Sequence, residues 1–195
     1  SKLKQWDSEL LTVVGAAGEL ISFRKHLFTH LEEDTILDDF ILSLRITERG
    51  YRVQYEPEAT ATETASANSK EELKRKVRIC AGGWQAMSRL TSLLNFTKHP
   101  LLTFQYISHR VLRWTLAPVF LLALLPLNIV LSFDNSFYQM LLALQLGIYI
   151  AAIFGYLFEN KSIRIKPFFI PYYFLFMNYA AIAGFFRFAG KKQSS

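Results

Sequence analysis

Three apolar runs, at about 115–133, 136–158 and 168–188, limit what this chain can fold into more than anything else in it. Each holds roughly 19 to 23 residues, long enough as a helix to cross a hydrocarbon layer of about 30 Å. Three such runs in close succession leave too little polar chain to cover them, so a membrane-embedded back half is expected rather than a buried helical core. Pro118 and Pro126 in the first run fit that reading, because membrane helices tolerate proline better than soluble ones. Tyr, Trp and Phe gather near the run ends, as interfacial aromatic belts do.

Charge divides the chain in the same way. Residues 1–110 hold 15 Lys and Arg against 14 Asp and Glu, whereas residues 111–195 hold 7 against 2. The front reads as a mixed-charge soluble portion. The basic excess of the back lies beside apolar runs, which suits contact with membrane lipids and argues against a nucleic-acid partner. A lone Cys80 excludes an internal disulfide framework and a cysteine-based zinc site, and His26, His30, His99 and His109 show no metal-ligand spacing.

The positive-inside rule orients the spans. Lys161, Arg164 and Lys166 make the second connection basic and cytoplasmic, and Asp134-Asn135 puts the first outside. Arg187, Lys191 and Lys192 then fall outside if the third run crosses, against the rule. Either 168–188 lies partly in the interface, as Pro167, Pro171 and the Tyr172-Tyr173 pair allow, or the tail sits on the disfavoured side. Residues 101–114 put Leu101, Phe104, Ile107 and Val111 on one helical side and Gln105, His109 and Arg113 on another, the pattern of an interfacial helix.

In the front portion, Asp34 or Thr35 is expected to cap a helix in which Leu37, Phe40, Ile41 and Leu44 recur on one face. Gly50 supplies its stop, and the alternation of Tyr51, Val53 and Tyr55 with Arg52 and Gln54 predicts a strand closed by Pro57. The small residues Gly15, Ala16, Ala17 and Gly18 allow the backbone to approach another surface closely. The stretch 59–68 reads as a surface loop, and Ser69 as the N-cap of a helix with Glu71 and Glu72 in its first turn. No signal-peptide pattern opens the chain at Ser1, and its first residues read as mid-helix, so it is expected to be the later part of a longer protein.

The order of these features is similar to the second half of a membrane-bound family-2 glycosyltransferase, in the group of cellulose, hyaluronan and poly-N-acetylglucosamine synthases. The resemblance rests on Gly15-Ala-Ala-Gly18 before Arg24-Lys25, on Leu37-Asp-Asp39, on Arg49-Gly-Tyr-Arg52, on Tyr55-Glu-Pro-Glu-Ala59, and on Arg75-Lys-Val-Arg78 ahead of apolar spans. It implies an α/β fold class, with 1–90 as the C-terminal part of a GT-A-type catalytic domain, 91–114 as an interfacial region and 115–195 as all-α membrane helices with a short basic tail. It further implies an integral membrane protein with its catalytic part on the cytoplasmic face, and inverting transfer from a nucleotide-sugar donor to a saccharide or lipid-linked acceptor. Asp39 matches the general base of the family's Thr-Glu-Asp motif, with Asp38 at the glutamate. Arg78 matches the arginine of Gln-x-x-Arg-Trp and would contact the donor diphosphate, with Arg75 at the glutamine and Ile79 at the tryptophan. Gly15, Ala16, Ala17 and Gly18 match the acceptor-side segment, and Trp84 is a candidate to line an acceptor path.

Other readings stand beside these. Both aspartates equally suit a helix N-terminus, the basic run suits a solvated face or lipid headgroups, and the chain can be read as a non-catalytic membrane-anchoring module. The Ile79 departure leaves transfer of a single sugar to a lipid carrier open beside polymer synthesis. The family also uses a divalent metal, Mg or Mn, held through an Asp-x-Asp motif, and no Asp-x-Asp occurs in this chain.

Overall fold

The computed structural model describes residues 2–16, 20–62, 68–159 and 165–190. Its elements are α1 (Lys2–Leu10), α2 (Asp38–Glu48), α3 (Ser69–Arg89), α4 (Pro100–Tyr106), α5 (Leu112–Trp114), α6 (Leu116–Ser132), α7 (Ser136–Glu159) and α8 (Lys166–Ala189). Short 3-10 turns lie at Lys25–Leu27 and Thr91–Leu94, and a π-helical turn, Ile107–Val111, joins α4 to α5.

The expected α/β class is not what forms. Among the described residues there is no strand, and the chain is all-α. The 51–55 segment is extended, but its ladder stops at one backbone bond, from Val13 N–H to the Val53 carbonyl at 2.9 Å. The next two donors go to hydroxyls: Val53 N–H to Thr12 Oγ1 at 2.9 Å and Tyr55 N–H to Ser8 Oγ at 3.0 Å. Its neighbour is the end of a helix, which offers side-chain oxygens rather than a row of carbonyls, so no sheet propagates.

The apolar face of α2 is as its periodicity predicts, with Phe40, Ile41 and Leu44 buried and Gly50 at φ +89° ending the helix. Its start differs. The N-cap is Leu37, without a side-chain cap bond, because Asp34 and Thr35 are held by other partners. Nor does Ser69 cap α3; the Asn68 carboxamide accepts from Glu71 N–H at 2.9 Å, one residue earlier than expected.

One core joins α2, α3, α4, Trp114 and Ala181 of α8, so the front portion and α8 pack as a unit. Small residues set the approach distances. A Cβ on Gly82 would lie 2.5 Å from Leu37, one on Gly83 2.5 Å from Trp114, and one on Gly184 2.5 Å from Cys80 Cβ. Cys80 is buried at that junction, and burial pushes its thiol up to about 11. Thiolate is the reactive form, so Cys80 is expected to stay unlabelled by maleimide at pH 7 and to react on unfolding. Labelling of the folded protein at the rate of an exposed thiol would contradict this packing.

In the back, α7 and α8 are long and apolar enough to cross a membrane. A third candidate is the pair Pro100–Trp114 and Leu116–Ser132, bent by 48° at Thr115. These are the marks of a membrane protein. The α6–α7 hairpin is clasped by one polar bond, from Asn128 Nδ2 to Gln145 Oε1 at 2.7 Å, and Gln145 Nε2 is held in turn within α7 by the Tyr149 hydroxyl at 2.7 Å. Such bonds hold helices together where no water competes. The 101–114 segment turns Gln105 inward while Leu101 and Phe104 stay exposed. The side docked on the protein is mixed, with Leu102, Thr103 and Tyr106 buried beside Gln105, while Arg113 of the expected polar side is exposed.

Candidate active site

The first turn of α2 is where the separate sequence features converge. Asp38 is exposed and Asp39 partly buried at that end of the helix. The next residue, Phe40, is covered by the 13–16 segment, and the cover is close: Gly15 has φ +76°, and a Cβ there would fall 2.1 Å from the Phe40 ring. Ala16 N–H donates to Ser43 Oγ at 3.0 Å, and that hydroxyl donates to the Phe40 carbonyl at 2.8 Å. Gly15 and Ala16 therefore lie along the α2 turn that carries Asp39. Ala17 and Gly18 lie outside the described residues.

Arg110 completes this cluster, and no sequence motif singles it out. It sits in the π-helical turn, a local unwinding often found at functional positions. Its Nε and Nη2 donate to the Val14 carbonyl at 3.3 and 3.1 Å, and its guanidinium stacks 5.4 Å from the Phe40 ring centroid. Burial works against its charge, as does nearby Arg113, while Asp7, Tyr106 and Asp39 act the other way. A guanidinium keeps its proton under such pressure, so a fixed positive charge stands within electrostatic reach of Asp39. Nothing in the sequence marks it out, since it stands among Ser108, His109 and Arg113 and its carbonyl partner is 96 residues away.

The loop that sets the start of α2 is held by α3. The buried carboxamide of Gln85 donates from Nε2 to the Asp34 carbonyl at 2.8 Å and accepts from Ile36 N–H at 2.9 Å. Arg89 donates to Asp34 Oδ1 at 2.6 Å and to Thr35 Oγ1 at 2.9 Å. Glu32 binds Arg45 at 2.6 Å. Backbone hydrogen bonding first, and then Arg45, hold its carboxyl below the ordinary range. Gln85→Leu is expected to cost about 1–2 kcal/mol, since it leaves the part-buried Asp34 carbonyl and Ile36 N–H without their partner. A lower midpoint in thermal unfolding of the detergent-solubilised protein would register it, and an unchanged midpoint would contradict it.

Arg75, Arg78, Gly82, Gln85 and Arg89 fall on one stripe of α3, at helical steps of three, four and seven. Gly82 meets Leu37. Arg78 is exposed one turn before that contact, ~6 Å along the axis, and Arg75 is a turn further, bonded to Glu72 at 3.3 Å. Both cations thus lie on the α3 stripe that runs past the start of α2. Trp84 does not join them. Two residues beyond Gly82 it points about 200° around the helix, and its ring packs 4.9 Å from Phe185 of α8.

Among the described residues no group of three or more His, Cys, Asp or Glu side chains is disposed to hold a metal ion. The described residues thus offer no ligand set for the divalent cation that the family resemblance implies. No family model, no curated protein and no solved structure matches this chain.

Proposed function

We propose that this chain carries the acceptor-side part of an inverting glycosyltransferase working at the cytoplasmic membrane face. The observation that carries the reading is the convergence of Gly15, Ala16, Asp39 and Arg110 on one helix turn, with Arg78 on the adjacent stripe of α3. These are the positions at which the chain resembles the family, with Arg110 added, and they come from segments far apart in sequence.

In this reading the Asp39 carboxylate takes the proton of an acceptor hydroxyl as that oxygen attacks the anomeric carbon of the donor sugar. The new carbon–oxygen bond forms as the bond to the diphosphate breaks, and its electron pair leaves with the nucleotide diphosphate. Arg78, with Arg75 behind it, meets that developing charge with a planar cation suited to phosphate oxygens. Arg110, stacked on the neighbouring Phe40 ring, sets a positive charge near Asp39. The 13–16 segment, pinned by Phe40 and Ser43, forms the wall against which the acceptor sugar rests. The acceptor is a saccharide or a lipid-linked sugar, and membrane lipids surround the back half.

Nucleotide release from radiolabelled nucleotide-sugar donors, measured in membranes at saturating Mg or Mn with the chain joined to the upstream donor-binding part that the resemblance implies, tests this directly. Turnover that Asp39→Asn abolishes supports the assignment. A protein in which Asp39→Asn changes nothing is a membrane-anchoring module or uses another base. The size of the labelled product separates a polymer from a single-sugar glycolipid.

A further inference from the structure

α8 has the length of a membrane span, yet the helix packed along it is built for water. The two come together first at Ser69 and Tyr172. They touch again where a Cβ on Gly184 would fall 2.5 Å from Cys80 Cβ and 2.9 Å from the Ala81 nitrogen. The contact continues to Trp84 and Phe185. Paired positions advance together, from 69 to 84 on α3 and from 172 to 185 on α8, so the helices run in the same direction through ~20 Å of contact.

Over that length α3 presents seven charged side chains between Lys70 and Arg78. Glu72 offsets two of them, with Arg75 at 3.3 Å and Lys76 at 3.2 Å. An α8 standing across the bilayer would carry this charged helix to membrane depth, where each unmatched Lys or Arg is strongly disfavoured. The composition of α8 points the same way. Pro171, Tyr172, Tyr173, Asn178 and Tyr179 interrupt its apolar run, and aromatic hydroxyls and amides favour the headgroup level. Its first turns rest on the end of α7, where a Cβ on Gly155 would lie 2.2 Å from the Phe168 carbonyl oxygen.

We propose that α8 does not cross the bilayer but lies along its face, with α3 docked on its aqueous side and a lipid surface as its other partner. Tyr179 and Phe186, both exposed and seven residues apart on the side of α8 turned away from Gly184, supply the lipid contact. The crossing is made by the α6–α7 hairpin alone. Lys166 and Arg187, at the two ends of α8, then share the side opposite Asp134, which removes the conflict with the positive-inside rule. This placement does not depend on the glycosyl-transfer reading.

Single thiols at three positions of the full chain test it, through Asn135→Cys, Lys166→Cys and Gly190→Cys in a Cys80→Ala background. Each variant is labelled with a membrane-impermeant maleimide in right-side-out and in inverted vesicles, with detergent-permeabilised vesicles showing that the thiol is reactive. The expected result is that positions 166 and 190 label from one face and position 135 from the other. Labelling of position 190 from the face opposite position 166 would overturn the proposal. Should Gly190→Cys fail to insert, Ala189→Cys, also at an exposed position, gives the same two outcomes.

Discussion

Gly15→Val is expected to lower stability by about 3–5 kcal/mol, the largest structural effect of any single change in the front portion. Two causes add. At φ +76° a β-branched residue occupies a backbone region that costs roughly 1–2 kcal/mol even before any contact is counted. Its Cβ would also sit 2.1 Å from two atoms of the Phe40 ring. The ring cannot step aside, because Arg110 stacks 5.4 Å from its centroid and Trp114 meets it edge-on at 5.7 Å. Gly50 separates the two causes. It has φ +89°, but a Cβ there would meet nothing within 4 Å, so Gly50→Val carries the backbone strain alone. Thermal unfolding in detergent should therefore show Gly15→Val several degrees below Gly50→Val. Equal midpoints would mean that the 13–16 segment does not lie against Phe40.

Asp39→Asn is expected to lower turnover about 10²–10⁴-fold, the range that loss of a positioned general base produces. The carboxamide keeps the shape of the side chain and cannot accept the acceptor proton, so the fold and the donor KM should hold while kcat falls. Asp38→Asn is the internal comparison. That neighbour is exposed where Asp39 is partly buried beside the Arg110 cluster, and its removal should cost far less. Arg78→Lys should move the other parameter, raising the donor KM, because a point charge replaces a planar fork at the diphosphate. Equal losses at Asp38 and Asp39, or a kcat defect shared with a fallen unfolding midpoint, would mean that the pair serves the helix terminus and not the reaction.

How much of this is readable from the chain depends on the range of the interaction behind each feature. The buried face of α2 is legible because Phe40, Ile41 and Leu44 repeat at helical spacing, and the stop at Gly50 because positive φ selects glycine. The strand expected at 51–55 does not form. Its alternation is real, but a strand needs a neighbour that offers a ladder, and Ser8 and Thr12 offer hydroxyls. The start of α2 departs from expectation for a related reason. Asp34 and Thr35 are good local caps, but Arg89, 55 and 54 residues away along the chain, claims both. In the candidate site, Asp39 and the Gly15–Ala16 segment are legible only through a family resemblance, and Arg110 not at all, since its partner is the carbonyl of Val14, 96 residues distant.

The sequence by itself determined that the back half of this protein belongs with a membrane, because a bilayer selects on the length and polarity of a single segment, both of which are local properties. It also determined which face of α2 turns inward and where that helix ends. Only the tertiary structure decided that no sheet forms around 51–55, that Trp84 turns to Phe185 and away from the α2 start, and that a charged α3 lies along an apolar α8. Those outcomes depend on which distant group reaches a hydrogen-bonding or packing partner first, and periodicity and composition along the chain do not encode that competition.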